Sequence, residues 1–182
     1  MQRWRSIKRS ANRQRGMTIV ELMIAMVVLV VGLLALMSLV ITAVGGNSRN
    51  KTDTGGTLVA QVFMEGILSQ SGGAAVTVKD CANTTFTVST AGPATAGTSN
   101  GANLDANGNI DFTQAVSGVA AGYKATYVTC GTGGTTTAYD VRWNVRTIDA
   151  YSQLVTISAQ SRKINSTQLF RPPVSLRSIK AN

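Results

Sequence analysis

Residues 13–44 read RQRGMTIVELMIAMVVLVVGLLALMSLVITAV, and this stretch decides the architecture. From Leu22 to Val44 there are 23 residues without a charge. A helix of that length is roughly 34 Å long, enough to cross a hydrocarbon core of about 30 Å. A cleaved secretory signal has a shorter apolar region closed by small residues. This run is longer and no A-x-A closes it, so it reads as retained. Arg3, Arg5, Lys8, Arg9, Arg13 and Arg15 precede it with no acid among them, while only Arg49 and Lys51 follow closely. The positive-inside rule then places residues 1–16 in the cytoplasm and the C-terminal domain on the other side of the membrane.

Those six cations also account for most of the net charge. The chain carries 17 basic and 8 acidic residues, a formal +9, and beyond Gly16 only 11 basic residues face the same 8 acids. The basic character belongs to a leader beside an apolar run, where it sets topology. No nucleic-acid partner is expected from it. The chain has no histidine, which removes the commonest general base and metal ligand. No Ser/Lys pair or carboxylate pair stands out, so catalysis is not expected.

Glu21 does not fit a plain anchor. It stands inside the apolar stretch, after Met17, Thr18, Ile19 and Val20. An ionised carboxylate buried in the bilayer costs on the order of 2.5–3.5 kcal/mol unless paired, so it points to function. A border residue snorkelling to the headgroups is the alternative if the chain is not cut.

The segment RQRGMTIVELMIAMVVLVVGLLAL resembles the class III signal of type IV prepilins and type II secretion pseudopilins. The resemblance implies a prepilin peptidase that cuts after Gly16 and methylates the new amine of Met17. Glu21 matches the family's glutamate at the fifth mature position. Most members begin the mature chain with Phe, so Met17 is a departure. A carboxylate one turn beyond a new ammonium group can pair with that amine or with a neighbour's, and it lies near the positive end of the helix dipole. In a filament this match would select the axial register of an incoming subunit. The implied partners are the peptidase, other pilins or pseudopilins, and the inner membrane. The pattern VLVVGLLALMSL, with no proline before Pro93, is closest to V-type minor pilins and similar to some pseudopilins. Gly32 either permits close packing or bending, or is an ordinary membrane-helix glycine.

Four segments follow: a leader (1–16), a transmembrane and assembly helix (17–44), a helix continuation or joint (45–73), and an extracytoplasmic β-rich domain (74–182). Gly45-Gly46 and Gly55-Gly56 are candidate interruptions or joints. Helical spacing returns at Val59, Val62, Phe63, Gly66 and Ile67, and Ser71-Gly72-Gly73 is expected to end it. Strands are expected at 74–79, 84–89 and 123–130. The clearest is YDVRWNVRT at 139–147, where Tyr139, Val141, Trp143 and Val145 face one way and Asp140, Arg142, Asn144 and Arg146 the other. That period of two predicts a half-buried strand with Trp143 in the core. Leu154–Ser161 alternates similarly, joined to it by a hairpin at 149–152. The expected fold is α+β, a pilin-like long N-terminal helix packed on a small antiparallel sheet.

Cys81 and Cys130 lie on the translocated side, where oxidation is feasible. Two cysteines allow one pairing, and closing a loop of ~50 residues contributes about 4 kcal/mol in the chain-entropy account. Residues 91–109 are low in complexity and read as an exposed loop. Within them Asp105, Asn107, Asn109 and then Asp111 stand at alternate positions, like half of a calcium loop. Ile110 stands where that loop has glycine and Val116 where it has glutamate, so a Gly108-Asn109 turn entering a strand is the competing reading. No other cofactor is expected. The tail FRPPVSLRSIKAN reads as a surface segment. Three functions are consistent with these features: a minor subunit of a type IV pilus, a pseudopilin of a type II secretion system, and an adhesin domain using the loop at 100–109.

Overall fold

The computed structural model describes residues 17–70, 73–162 and 172–181. One helix, α1, spans Ile19–Leu68. The chain divides into two compact units, one ending at Asn47 and the other running from Ser48 to Asn182, and α1 contributes to both.

In the first unit α1 is a bare apolar rod. From Ile19 to Val44 every large apolar side chain is exposed, between 49% for Leu22 and 80% for Ile19. Nothing among the described residues covers this surface, and the helix is long and apolar enough to cross a membrane.

The helix passes through both glycine pairs without a break. Gly55 has a packing role instead: a Cβ there would collide with the Tyr139 hydroxyl. The glycine lets helix and sheet approach, and the hydroxyl donates to the Thr52 carbonyl at 3.2 Å.

In the second unit the inward row of α1 is Val59, Ala60, Phe63, Met64 and Ile67, all buried. Val62, expected on that row, is 43% exposed. The stripe runs through Ala60 and Met64 instead, which keeps Phe63 at its centre. Phe63 packs against Trp143 and Tyr127, with ring centroids 5.4 and 5.6 Å apart. Fully buried Trp143 donates its indole N–H to the Ser89 carbonyl at 2.9 Å.

Among the described residues seven strands build two antiparallel sheets. β1 (Val76–Lys79) and β2 (Thr85–Val88) form a hairpin. Its turn places Asn83 at φ 66, a left-handed conformation that asparagine tolerates. The larger sheet contains β3 (Ser99–Gly101), β4 (Lys124–Cys130), β5 (Thr136–Thr147), β6 (Ser152–Ser161) and β7 (Val174–Ala181). β5 pairs with β6 on one edge, and β6 with β7. Its other edge is shared: β4 takes residues 136–142 and β3 takes 144–146. At the join Gly101 adopts φ +113, and a Cβ would strike the Trp143 carbonyl.

Two sequence expectations change. The strand at 139–147 is buried on both faces: Asp140, Arg142 and Asn144 are all enclosed. Their cover is the segment 102–119, which begins inside the stretch 91–109 expected as an exposed loop. Ala102, Ile110 and Val119 are buried in it, and its Ala102 carbonyl accepts the Asn144 amide at 2.7 Å. The tail is the second change: residues 174–181 complete the sheet as β7.

Candidate processing and assembly site

Gly16 and the basic leader lie outside the described residues. Met17 and Thr18 precede the helix, and the Thr18 carbonyl accepts the first helical bond, from Leu22 N–H at 3.1 Å. The Thr18 hydroxyl accepts the Glu21 N–H at 3.3 Å. Thr18 is therefore the N-cap and Glu21 the third helical residue. The T-x-x-E spacing that signals such a start is legible in the sequence. Thr18 is the residue that reading for charge alone passes over.

Glu21 is exposed, and its carboxylate has no partner among the described residues. The apolar run around it offers no counter-charge before Arg49. A carboxylate here can take an ammonium group. Gly32 has no atom of the described residues within 4 Å of where a Cβ would lie, so none of them requires glycine there.

The other sequence candidates lie in the sheet domain. Cys81 and Cys130 form a disulfide with a Cα separation of 5.9 Å. It ties the β1–β2 turn to the end of β4, alongside the Tyr127 hydroxyl donating to the Lys79 carbonyl. The residues read as a calcium half-loop form a turn. Asp105 Oδ1 accepts the N–H groups of Asn107 and Asn109 at 2.9 and 2.8 Å. Asp111 turns to Thr113 instead, and that hydroxyl and N–H hold its carboxyl below the usual carboxylate range. The cation at the turn is a side chain: Arg177 donates to the Asn107 carbonyl and Asn109 Oδ1 at 2.9 and 3.0 Å. Among the described residues no group of three or more acidic, Cys or His side chains converges to hold a metal.

A second arginine fastens the same segment. Arg142 donates to the Gln114 carbonyl at 2.7 Å, pairs with Asp140 at 2.8 Å and lies 4.8 Å over the Phe112 ring. Lys180, at the inward end of β7, is only 3% exposed and donates to the Thr90 carbonyl. Burial pushes its pKa down. These are fastenings of the domain.

Residues 11–37 match the profile of the prokaryotic N-terminal methylation motif. The chain carries the type IV prepilin and pseudopilin signature. The matched segment includes Gly16, Met17, Thr18 and Glu21 and ends within the exposed apolar helix. No curated protein and no solved structure matches the chain. Proteins with this signature are structural subunits rather than enzymes.

Proposed function

We propose that this chain is a minor subunit of a type IV pilus, closest to the V-type minor pilins. A prepilin peptidase cuts after Gly16 and methylates Met17. The helix holds the subunit in the inner membrane with the sheet domain outside, then carries it into the filament, in a priming or tip complex. The observation that supports this most is the coincidence of the matched motif with an exposed apolar stretch, residues 19–44, whose one acid, Glu21, has no partner among the described residues. The disulfide accords with an extracytoplasmic domain. Calcium is not part of this reading: Arg177 donates to Asn109 Oδ1, one of the side-chain oxygens of the half-loop.

The test starts with the N-terminal residue of the protein recovered from cells, expected to be N-methylated Met17. Replacing Gly16 with a bulky residue is expected to block cleavage. Glu21→Ala is expected to be cleaved but excluded from filaments, and its normal assembly would remove the pairing argument. Deletion separates two assemblies that share the motif: lost surface pili support this reading, whereas lost protein secretion with intact pili supports a pseudopilin.

A further inference from the structure

The sheet domain has a cleft of about 230 Å³ lined by Phe86, Val116, Lys124, Ala125, Thr126 and Asp140. It arises where two strands run side by side without pairing. β2 and β4 are tied at both ends: the Ser89 N–H donates to the Gly122 carbonyl at 2.9 Å, and the Cys81 N–H to the Val128 carbonyl at 3.5 Å. Between these ties, among the described residues, β2 pairs only with β1, and β4 only with β5. Alternate residues of an antiparallel strand turn both backbone polar groups to the same side. The Val128 carbonyl points away from β5, so the N–H and C=O groups of Thr126 and Lys124 do too, toward the cleft.

Phe86, Val116 and Ala125 supply apolar walls. Asp140 is only 8% exposed, and both its oxygens accept from Arg142, at 2.8–3.2 Å. That pairing fixes the carboxylate and offsets its charge, while leaving lone pairs to accept further bonds. The Lys124 ammonium donates to the Val116 carbonyl at 2.6 Å and has two more hydrogens. Thr126 Oγ1 accepts from Arg162 at 3.1 Å, so its own hydrogen is left to donate. Apolar walls thus stand beside polar groups of both kinds, donors and acceptors.

We propose that this cleft binds one uncharged sugar ring of a glycan. A purely apolar occupant would strip water from Asp140 and from the edge groups of Lys124 and Thr126 and replace none of its bonds, which is unfavourable. A cation would meet a carboxylate already paired with arginine, beside Lys124. An anion would lie against Asp140. A sugar ring packs its C–H face on Phe86 and Val116, and its hydroxyls both donate and accept. The volume is below the ~300–1,000 Å³ of sites for drug-sized ligands, so one ring fits and the rest of a glycan lies outside. The inference is independent of the processing reading and of which filament the chain joins.

The experiment uses the full-length chain in a detergent without a sugar headgroup. Saturation-transfer NMR is run with the methyl glycosides of mannose, galactose, glucose and N-acetylglucosamine, and with cyclohexanol as an apolar ring. At least one glycoside is expected to bind with a Kd of roughly 1 mM, about tenfold more tightly than cyclohexanol. Val116→Trp fills the cleft from its exposed rim and is expected to weaken binding about tenfold with the denaturation midpoint unchanged. Thr126→Val, at an exposed position, removes one hydroxyl and is expected to weaken binding about fivefold; it carries the test if Val116→Trp fails to fold. The proposal is overturned if no glycoside binds at ~20 mM, if cyclohexanol binds as well as the sugars, or if a folded variant of either kind binds like wild type. Cleaved and uncleaved chains are expected to bind alike, so failure of processing leaves this result intact.

Discussion

The two units of this chain solve opposite problems. Up to Asn47 the helix exposes its apolar side chains all round and buries none of them. From Ser48 onward the domain encloses even polar groups: Asp140, Arg142, Asn144, Ser158 and Lys180 are buried. One region leaves its apolar surface open. The other finishes itself, and polar side chains fasten its covering segment. The difference teaches that burial within the chain is the wrong measure of importance for the first region and the right one for the second.

The largest expected effect that tests this contrast is at the centre of the domain core. Trp143→Ala removes the side chain that meets both Phe63 and the Ser89 carbonyl. It is expected to cost about 3–5 kcal/mol of domain stability, measured by denaturant titration of the detergent-solubilised full chain. The amount of chain in the membrane fraction after brief induction should not change. Loss of insertion together with the domain would break the contrast.

A smaller effect is expected from Cys81→Ser with Cys130→Ser. Opening the bridge should lower domain stability by about 2–4 kcal/mol, seen as a reduced denaturation midpoint without reductant. Adding reductant to wild type should give the same midpoint as the variant. A midpoint unmoved in both would mean that β1 and β2 are held by packing alone.

The smallest effect concerns pH. Asp111 and Asp149 both have carboxyls held below the ordinary 3.8 by hydrogen bonds, Asp111 from the Thr113 hydroxyl first and Asp149 from the Tyr151 N–H first. In each case the folded state favours the charged form. Their stabilising contribution is therefore present above pH 3.8 and lost as pH falls through the lower folded values. Asp111→Asn with Asp149→Asn should flatten the acid limb of a stability–pH profile slightly and leave the neutral region nearly unchanged. An unchanged acid limb would show that both turns are indifferent to charge.

How much of this was legible follows the same division. The helix was plain in composition, because an apolar surface facing lipid needs no internal complement. β5 and β6 were plain in their period of two. β7 was hidden because its rows contradict the usual pattern: buried Lys180 ends the inward row, while Ile179, 66% exposed, stands on the outward one. The covering segment was hidden for another reason. Its small and polar residues look like a free loop, and what holds it comes from other strands, Arg142 of β5 and Arg177 of β7. At the start of the helix Glu21 was legible as a misplaced charge. Thr18 was legible only as a helix start.

The shared edge of β5 has a kinetic consequence. β1 with β2, β4 with β5 and β5 with β6 join strands that are neighbours along the chain, so their loops close early. β3 is different: Asn100 meets Val145 across a long intervening stretch that already contains β4. Its pairing waits for the β4–β5 ribbon to exist. The segment that roofs Asp140 and Arg142 is thus expected to dock last, and until it does their charges can stay hydrated.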